Sequence, residues 1–179
     1  MNTKFKIGIL KETKTPPDKR VALPPMQALE LIKRFPDVEV YVQPSNLRCY
    51  KDSEFTDVGL TLKEDLSDCD LLLGVKEVKI PYLINGKTYL FFAHVAKKQP
   101  HNLPLIRAIS EKGITLLDHE YLTDKTGVRL VAFGHWAGVV GAYNALRARG
   151  IRTNRYLLPA AHDCHDYKEM IHELRKVNL

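Results

Sequence analysis

A chain of 179 residues, of which 45% are hydrophobic and 27% charged, is long enough for one sizeable domain and too short for two large ones. Its longest apolar runs fall far short of the ~20 residues that a membrane helix needs, so a membrane protein is not expected. The net charge is +6, but the lysines and arginines are scattered among acidic residues and do not cluster. This distribution argues against a nucleic-acid partner.

The first residues and the cysteines favour a cytoplasmic protein. Residues 1–6 carry two lysines and lead into a strand-like segment, without the long apolar run of a secretory leader. Cys49, Cys69 and Cys164 have no CxxC spacing, so neither a disulfide framework nor a zinc ribbon is indicated. The cluster at 162–165 contains possible metal ligands but has no distant partner, and we expect no metal.

Strands and helices alternate along the chain. Near-continuous apolar runs at 70–75 and 88–93 are typical of strands covered on both faces, while 26–35 has apolar residues at helical spacing. The predicted strands are 6–10, 38–42, 70–75, 88–93, 114–117 and 129–133, and the predicted helices are 26–35, 51–58, 103–112, 135–149 and 167–177. This alternation predicts an α/β domain with a mainly parallel open sheet and helices on both faces.

Ionisable residues follow four of the predicted strands. They are Lys11 and Glu12, Lys76 and Glu77, His94, and the run Asp118, His119 and Glu120. A polar residue at a single strand end can simply mark where solvent begins. Because ligands bind at the carboxyl ends of strands in open parallel sheets, four such ends together predict a ligand site.

Lys76 and His94 are the candidates for acid/base chemistry at this edge. A lysine amine is normally charged at neutral pH and adjacent Glu77 favours that form, so we predict an ammonium that binds or polarises substrate. An imidazole exchanges protons near neutrality, which makes His94 the better proton shuttle. Arg20, in the loop before the first helix, is placed to hold a carboxylate through two parallel hydrogen bonds.

Several motifs together resemble one superfamily, which joins alanine dehydrogenase, the transhydrogenase α subunit and lysine-forming saccharopine dehydrogenase. The shared motifs are Ile7-Gly8-Ile9-Leu10-Lys11-Glu12-Thr13-Lys14, Lys19-Arg20-Val21-Ala22-Leu23-Pro24-Pro25, Gly74-Val75-Lys76-Glu77 and Phe91-Phe92-Ala93-His94. Finer likeness to saccharopine dehydrogenase and lysine-ketoglutarate reductase is carried by Gln43-Pro44-Ser45-Asn46, by 87–94 with Lys97, and by 129–138. The resemblance extends over residues 6–150.

The resemblance implies a Rossmann-like, substrate-binding catalytic domain over residues 1–133. It implies an interdomain helix and the start of a cofactor domain over 134–179. The implied reaction is the reversible reductive condensation of lysine with 2-oxoglutarate by NADH or NADPH. The substrates would thus be an amino acid and a 2-oxo acid.

The resemblance also implies roles for individual residues. Lys76 and His94 would be the acid/base pair, and Arg20 would bind a substrate carboxylate. Three further residues would line the pocket and tune the pair, namely Glu77, Lys97 and Glu120. Arg129 would contact an anionic group.

The glycine-rich fingerprint of a dinucleotide site is not found in the sequence. Gly134, Gly138 and Gly141 have the wrong spacing for GxGxxG, and Asn154 stands where an acidic residue is expected. We interpret the small residues at 138, 141, 142 and 145 as allowing close helix packing. We therefore expect the chain to stop where the NAD or NADP domain begins and to be inactive alone. Alanine dehydrogenase and a non-catalytic module that binds an amino acid or dicarboxylate stay open as alternatives.

Overall fold

The computed structural model describes residues 4–177, which form two units: the first ends at Leu130 and the second begins at Val131. Residues 1–3, part of the segment considered for a leader, and residues 178–179 lie outside the described residues. Among the helices of residues 4–177, none has the length and apolar character needed to cross a membrane.

The first unit is built on a parallel sheet, with six strands within the described residues. The strands are β1 (Phe5–Ile9), β2 (Val38–Val42), β3 (Thr61–Leu62), β4 (Leu71–Lys76), β5 (Thr88–Phe92) and β6 (Thr115–Asp118). Their spatial order is β3-β2-β1-β4-β5-β6, and each neighbouring pair is parallel. The chain winds outward from β1 in one direction and then returns to β4, so the strand order reverses between β1 and β4. Such a reversal opens a crevice at the carboxyl ends of the strands.

Helices cover both faces of this sheet, as predicted. The helices of the unit are α1 (Pro25–Arg34), α2 (Asp52–Asp57) and α3 (Leu103–Glu111), with short 3-10 turns at Ile80–Tyr82, Val95–Lys97, Pro100–Asn102 and His119–Tyr121. On one face, Ile9 packs with Ala28 of α1 and Phe55 of α2. On the other, Leu72 and Tyr89 pack with residues of α3. Each fully buried side chain of this kind stabilises the fold by about 1.5–3 kcal/mol.

The predicted strand at 129–133 is wrong. Arg129 makes only an isolated antiparallel bridge with Thr123, and Val128 and Leu130 are 62% and 66% exposed. The backbone here is organised by a turn, in which the Asp124 carboxylate accepts the N–H groups of residues 126 and 128. The apolar run therefore predicted a strand, but within residues 4–177 it pairs only with residues 122–124, through a single bridge and its flanking hydrogen bonds.

The second unit contains α4 (Gly134–Thr153) and α5 (Tyr167–Arg175). Tyr143, Leu158 and Met170 form its small buried core. The small residues at 138, 141, 142 and 145 are exposed, so the close packing expected of them does not occur among the described residues. Gly150 is the residue of α4 that needs to be small, because a Cβ there would lie 2.5 Å from the ring of Tyr156.

Candidate active site

The four strand ends that carry ionisable residues are neighbours in the sheet. They belong to β1, β4, β5 and β6, which lie side by side in that order. Lys76 pairs with Phe92 in the β4 and β5 ladder, and His94 follows two residues later. The two proposed acid/base residues thus stand at the ends of adjacent strands. Around them, the charged side chains form two groups, one at β1 and β4 and the other at β5 and β6.

Glu12 supports the end of β4. Its carboxylate accepts the backbone N–H of Val75 at 2.7 Å and that of Lys76 at 2.9 Å. These donors belong to a stretch where the β4 and β5 register shifts, so the ladder alone does not hold it. Burial raises the pKa of Glu12, and the two backbone N–H groups partly offset that effect. Glu12 therefore fixes the backbone that presents Lys76, a role that the sequence did not indicate.

Arg20 holds a carboxylate in the two-bond geometry predicted for it, but that carboxylate is Asp18 of the same loop. Its Nε donates to Oδ1 at 2.9 Å and its terminal nitrogen donates to Oδ2 at 2.5 Å. This pairing lowers the pKa of Asp18 and raises that of Arg20. The charge of Lys76 also contributes to the lowered pKa of Asp18, which links the ammonium to the same group of charges. The side chain of Arg20 remains 43% exposed.

Glu77 forms an ion pair with a residue that the sequence analysis did not identify as a site residue. Lys14 donates to its Oε1 at 2.7 Å, across 63 positions of the chain. The other oxygen, Oε2, is buried without a hydrogen-bond partner among the described residues. Glu77 therefore pairs with Lys14 and not with the adjacent Lys76, which leaves the ammonium of Lys76 to other anions.

Glu120 is the centre of the second group. It contacts Nδ1 of His94 at 3.0 Å, Nζ of Lys97 at 3.0 Å and a terminal nitrogen of Arg129 at 3.3 Å. Its side chain is 6% exposed, whereas these three partners are 40% to 54% exposed. The hydrogen bond from His94, followed by that from Lys97, lowers the pKa of Glu120. The structure therefore brings together four of the residues that the sequence predicted separately, His94, Lys97, Glu120 and Arg129.

The contact with Glu120 determines how the imidazole of His94 is presented. A carboxylate can only accept hydrogen bonds, so Nδ1 of His94 carries the hydrogen in the neutral ring. The second ring nitrogen, Nε2, is then the one that can exchange a proton with a ligand. This arrangement suits a proton shuttle.

His119, the other histidine at this edge, has a structural contact instead. It is 8% exposed, and its Nε2 lies 3.1 Å from the carbonyl oxygen of Gly74, to which it donates. Its ring packs against Phe92 with centroids 5.0 Å apart. His119 therefore ties the end of β6 to β4 and lies outside the proposed chemistry.

The described residues contain neither the usual dinucleotide-binding motif nor a group of metal ligands. Between residues 4 and 177, no strand runs through a glycine-rich turn into a helix, because the residues before α4 form no strand. Over the same residues, no group of three or more histidine, cysteine, aspartate or glutamate side chains could hold a metal ion. The predicted polar cluster at 162–165 contains one exposed ion pair, in which His162 lies 3.5 Å from Asp163.

Fold and site together define an α/β domain with two groups of charged side chains at the carboxyl edge of its parallel sheet. The chain belongs to the alanine dehydrogenase/PNT N-terminal domain family, whose model matches residues 8–140. The resemblance given by the motifs is thereby confirmed.

Relatives and a solved structure agree with this family. The chain is 43% identical over 114 residues to alpha-aminoadipic semialdehyde synthase, mitochondrial, of Rattus norvegicus, which covers 64% of this chain and 12% of the relative. It is 34% identical over 147 residues to saccharopine dehydrogenase [NAD(+), L-lysine-forming] of Yarrowia lipolytica, covering 79% and 39%. An L-alanine dehydrogenase structure matches with a TM-score of 0.66 at 16% identity, covering 84% and 42%. This chain therefore spans less than half the length of each.

Proposed function

We propose that this chain is the substrate-binding, acid/base part of a nicotinamide-dependent amino-acid dehydrogenase of the saccharopine dehydrogenase or lysine-ketoglutarate reductase type. The proposed reaction is the reversible reductive condensation of lysine with 2-oxoglutarate. The observation that carries the proposal is the contact of buried Glu120 with His94, which follows the end of β5, the strand that pairs with β4 at Lys76. The names of the relatives from Rattus norvegicus and Yarrowia lipolytica support the choice of this branch.

Arg20 and Lys76 are the proposed anion-binding residues. Both substrates and the condensed product carry carboxylates, for which a guanidinium provides a matching pair of donors. Asp18 holds the guanidinium by two hydrogen bonds, so its orientation is set before a ligand arrives. Lys76 acts as an ammonium that binds or polarises the substrate, with its backbone fixed by Glu12.

His94 is the proposed proton shuttle. Reduction of an imine to an amine requires a proton on nitrogen, and the reverse reaction requires its removal. Nε2 of His94 can serve both directions because the contact with Glu120 fixes the hydrogen on Nδ1. Lys97 and Arg129 also contact Glu120, and the hydrogen bonds from His94 and Lys97 lower the pKa of its carboxyl group.

Hydride chemistry in such enzymes belongs to the nicotinamide. Since residues 4–177 contain no strand that runs through a glycine-rich turn into a helix, the proposal assigns dinucleotide binding to other polypeptide. The roles proposed for this chain are therefore limited to substrate binding and proton transfer.

The experiment compares lysine plus 2-oxoglutarate with ammonia plus pyruvate, using the protein that carries this chain together with its cofactor-binding polypeptide. Oxidation of reduced nicotinamide is followed by absorbance. We expect turnover with the first pair, and we expect Lys76→Met and His94→Gln each to lower it by roughly 10² or more. Lys33→Met on α1 and His101→Gln on the surface are matched controls that should retain it. Normal turnover in both site variants would exclude these residues from the chemistry.

Two other functions are separated by the same assay. Alanine dehydrogenase is favoured by the family itself, whose description names that enzyme. Turnover with ammonia and pyruvate alone would identify it and would contradict the branch proposed above. A non-catalytic binding module would give no turnover with either pair, while calorimetry would show binding of an amino acid or dicarboxylate.

A further inference from the structure

The backbone of His94 has an unusual conformation for its residue type. Its φ is 54°, in the left-handed region that residues with a Cβ rarely adopt. Such a conformation persists only where surrounding contacts hold it. In this chain the contacts come from two side chains that bind the backbone of His94 on either side of its Cα.

Asp118 and Asn102 supply these contacts. The N–H of His94 donates to Oδ2 of Asp118 at 3.0 Å, and the carbonyl of His94 accepts from the side-chain amide of Asn102 at 3.0 Å. Asp118 is the last residue of β6 and pairs with Phe91 in the sheet ladder, so its own backbone is fixed. The conformation of His94 is therefore held from a rigid strand.

The second oxygen of Asp118 holds the partner of His94. Oδ1 accepts the backbone N–H of Glu120 at 2.9 Å, and Oε2 of Glu120 in turn contacts Nδ1 of His94 at 3.0 Å. Three hydrogen bonds thus close a ring through Asp118, Glu120 and His94. One carboxylate sets the backbone positions of both the imidazole and the carboxylate that orients it.

From this ring we infer that Asp118 is a positioning residue, which acts through His94 by fixing the approach of its imidazole to Glu120. The inference rests on the proposed function, because His94 matters for turnover only if it moves the proton. Asp118 touches no reacting atom in this scheme. Its effect on turnover comes from geometry, and a small displacement of a proton-transfer group is enough to slow a reaction.

Asp118→Asn is the sharpest change. The carboxamide has nearly the shape of the carboxylate, but its nitrogen donates and cannot accept. The two backbone N–H groups face different oxygens of Asp118, so one of them loses its acceptor. Asp65→Asn is the matched control, because Asp65 also binds backbone and side-chain donors, those of Ser67, in a loop before β4.

The first readout is the ring-nitrogen spectrum of His94, measured by NMR on the isotope-labelled 179-residue chain. We expect Asp118→Asn to shift the Nδ1 signal in the same direction as Glu120→Gln does, because both changes break the ring-to-carboxylate contact. Asp65→Asn should leave the signal in place. An unchanged His94 signal in folded Asp118→Asn overturns the inference, whatever the turnover shows.

The second readout is turnover of the protein that includes its cofactor-binding polypeptide. Asp118→Asn should lower kcat by roughly tenfold or more with little change in the KM for lysine, because proton transfer and not binding is disturbed. In a His94→Gln background the same substitution should have almost no further effect, since Asp118 acts through His94. An equal loss in both backgrounds overturns the inference. Full turnover of His94→Gln alone would instead contradict the proposed function, and the NMR comparison would still decide the role of Asp118.

A third readout covers the case in which Asp118→Asn fails to fold. In the unchanged chain, the amide hydrogens of His94 and Glu120 should exchange slowly with solvent, because both donate to Asp118. Rapid exchange of these two amides overturns the inference without any variant.

Discussion

The side chain of Glu120 is buried, whereas its three partners, His94, Lys97 and Arg129, are partly exposed to solvent. These contacts determine in which form the carboxyl group is stable. The ionised form is stabilised by His94 first and Lys97 next, and both contacts lower its pKa. In the unfolded chain the same carboxyl group titrates near the ordinary value of 4.5. The native structure therefore favours the charged carboxylate more strongly than the unfolded chain does.

This difference predicts how stability depends on pH. A carboxyl group with a lowered pKa stabilises the native state fully above its unfolded pKa and loses that contribution as the pH falls through its lowered value. We expect Glu120→Gln to be less stable than the unchanged chain at neutral pH, with the difference shrinking below about pH 4.5. Urea unfolding at a series of pH values measures this difference. A gap that stays constant into the acid range would contradict the electrostatic explanation.

At the scale of residues, the sequence predicted which side chains gather but not how they pair. His94, Lys97, Glu120 and Arg129 were each expected near the site, and the structure places them in one group. The pairing of Lys14 with Glu77 spans 63 positions and has no local signal. The Asp118 contact likewise depends on the left-handed backbone of His94, which no spacing pattern predicts.

At the scale of elements, the irregular end of β4 depends on Glu12. The N–H groups of Val75 and Lys76 leave the regular ladder there, and Val75 is 4% exposed, so water cannot easily replace the carboxylate. Leaving a buried donor without a partner costs about 1–3 kcal/mol. The end of this strand is thus held by a side chain from the loop after β1.

Glu12→Ala should therefore lower the free energy of unfolding by about 1–3 kcal/mol. It should also speed hydrogen exchange at the amides of Val75 and Lys76. Urea unfolding and amide exchange on the 179-residue chain measure the two effects. Glu30→Ala, at an exposed position of α1, is the control and should change neither. A loss of stability without faster exchange at these two amides would show that Glu12 acts elsewhere.

The spacing of apolar residues predicted most strands and helices, because each of these elements packs its apolar face against the core. Five predicted strands correspond to β1, β2, β4, β5 and β6, and the five predicted helices correspond to α1 through α5. The strand β3 has two residues, which is too short to give a pattern. The segment 129–133 has the apolar composition of a strand but is not one. It follows a turn from Asp124 to Gly127 and makes a single bridge, between Arg129 and Thr123.

At the scale of the whole molecule, the proposed chemistry is divided between this chain and other polypeptide. The proposal assigns substrate binding and proton transfer to side chains at the carboxyl edge of the sheet in the first unit. The described residues lack the strand, glycine-rich turn and helix that bind a dinucleotide. This chain spans 12% and 39% of two of its relatives, so those proteins are long enough to contain a further domain.

This division predicts that the 179-residue chain alone gives no saturable change in the fluorescence of reduced nicotinamide. Addition of lysine and 2-oxoglutarate should not create one, because neither substrate supplies a pyrophosphate site. The longer protein that carries the chain should give a saturable change under the same conditions, and Lys76→Met should retain it because the ammonium is assigned to substrate. Saturable binding by the short chain would place the dinucleotide on residues that lack its usual fingerprint. The crevice between β1 and β4, where the strand order reverses, would then be the place to look for it.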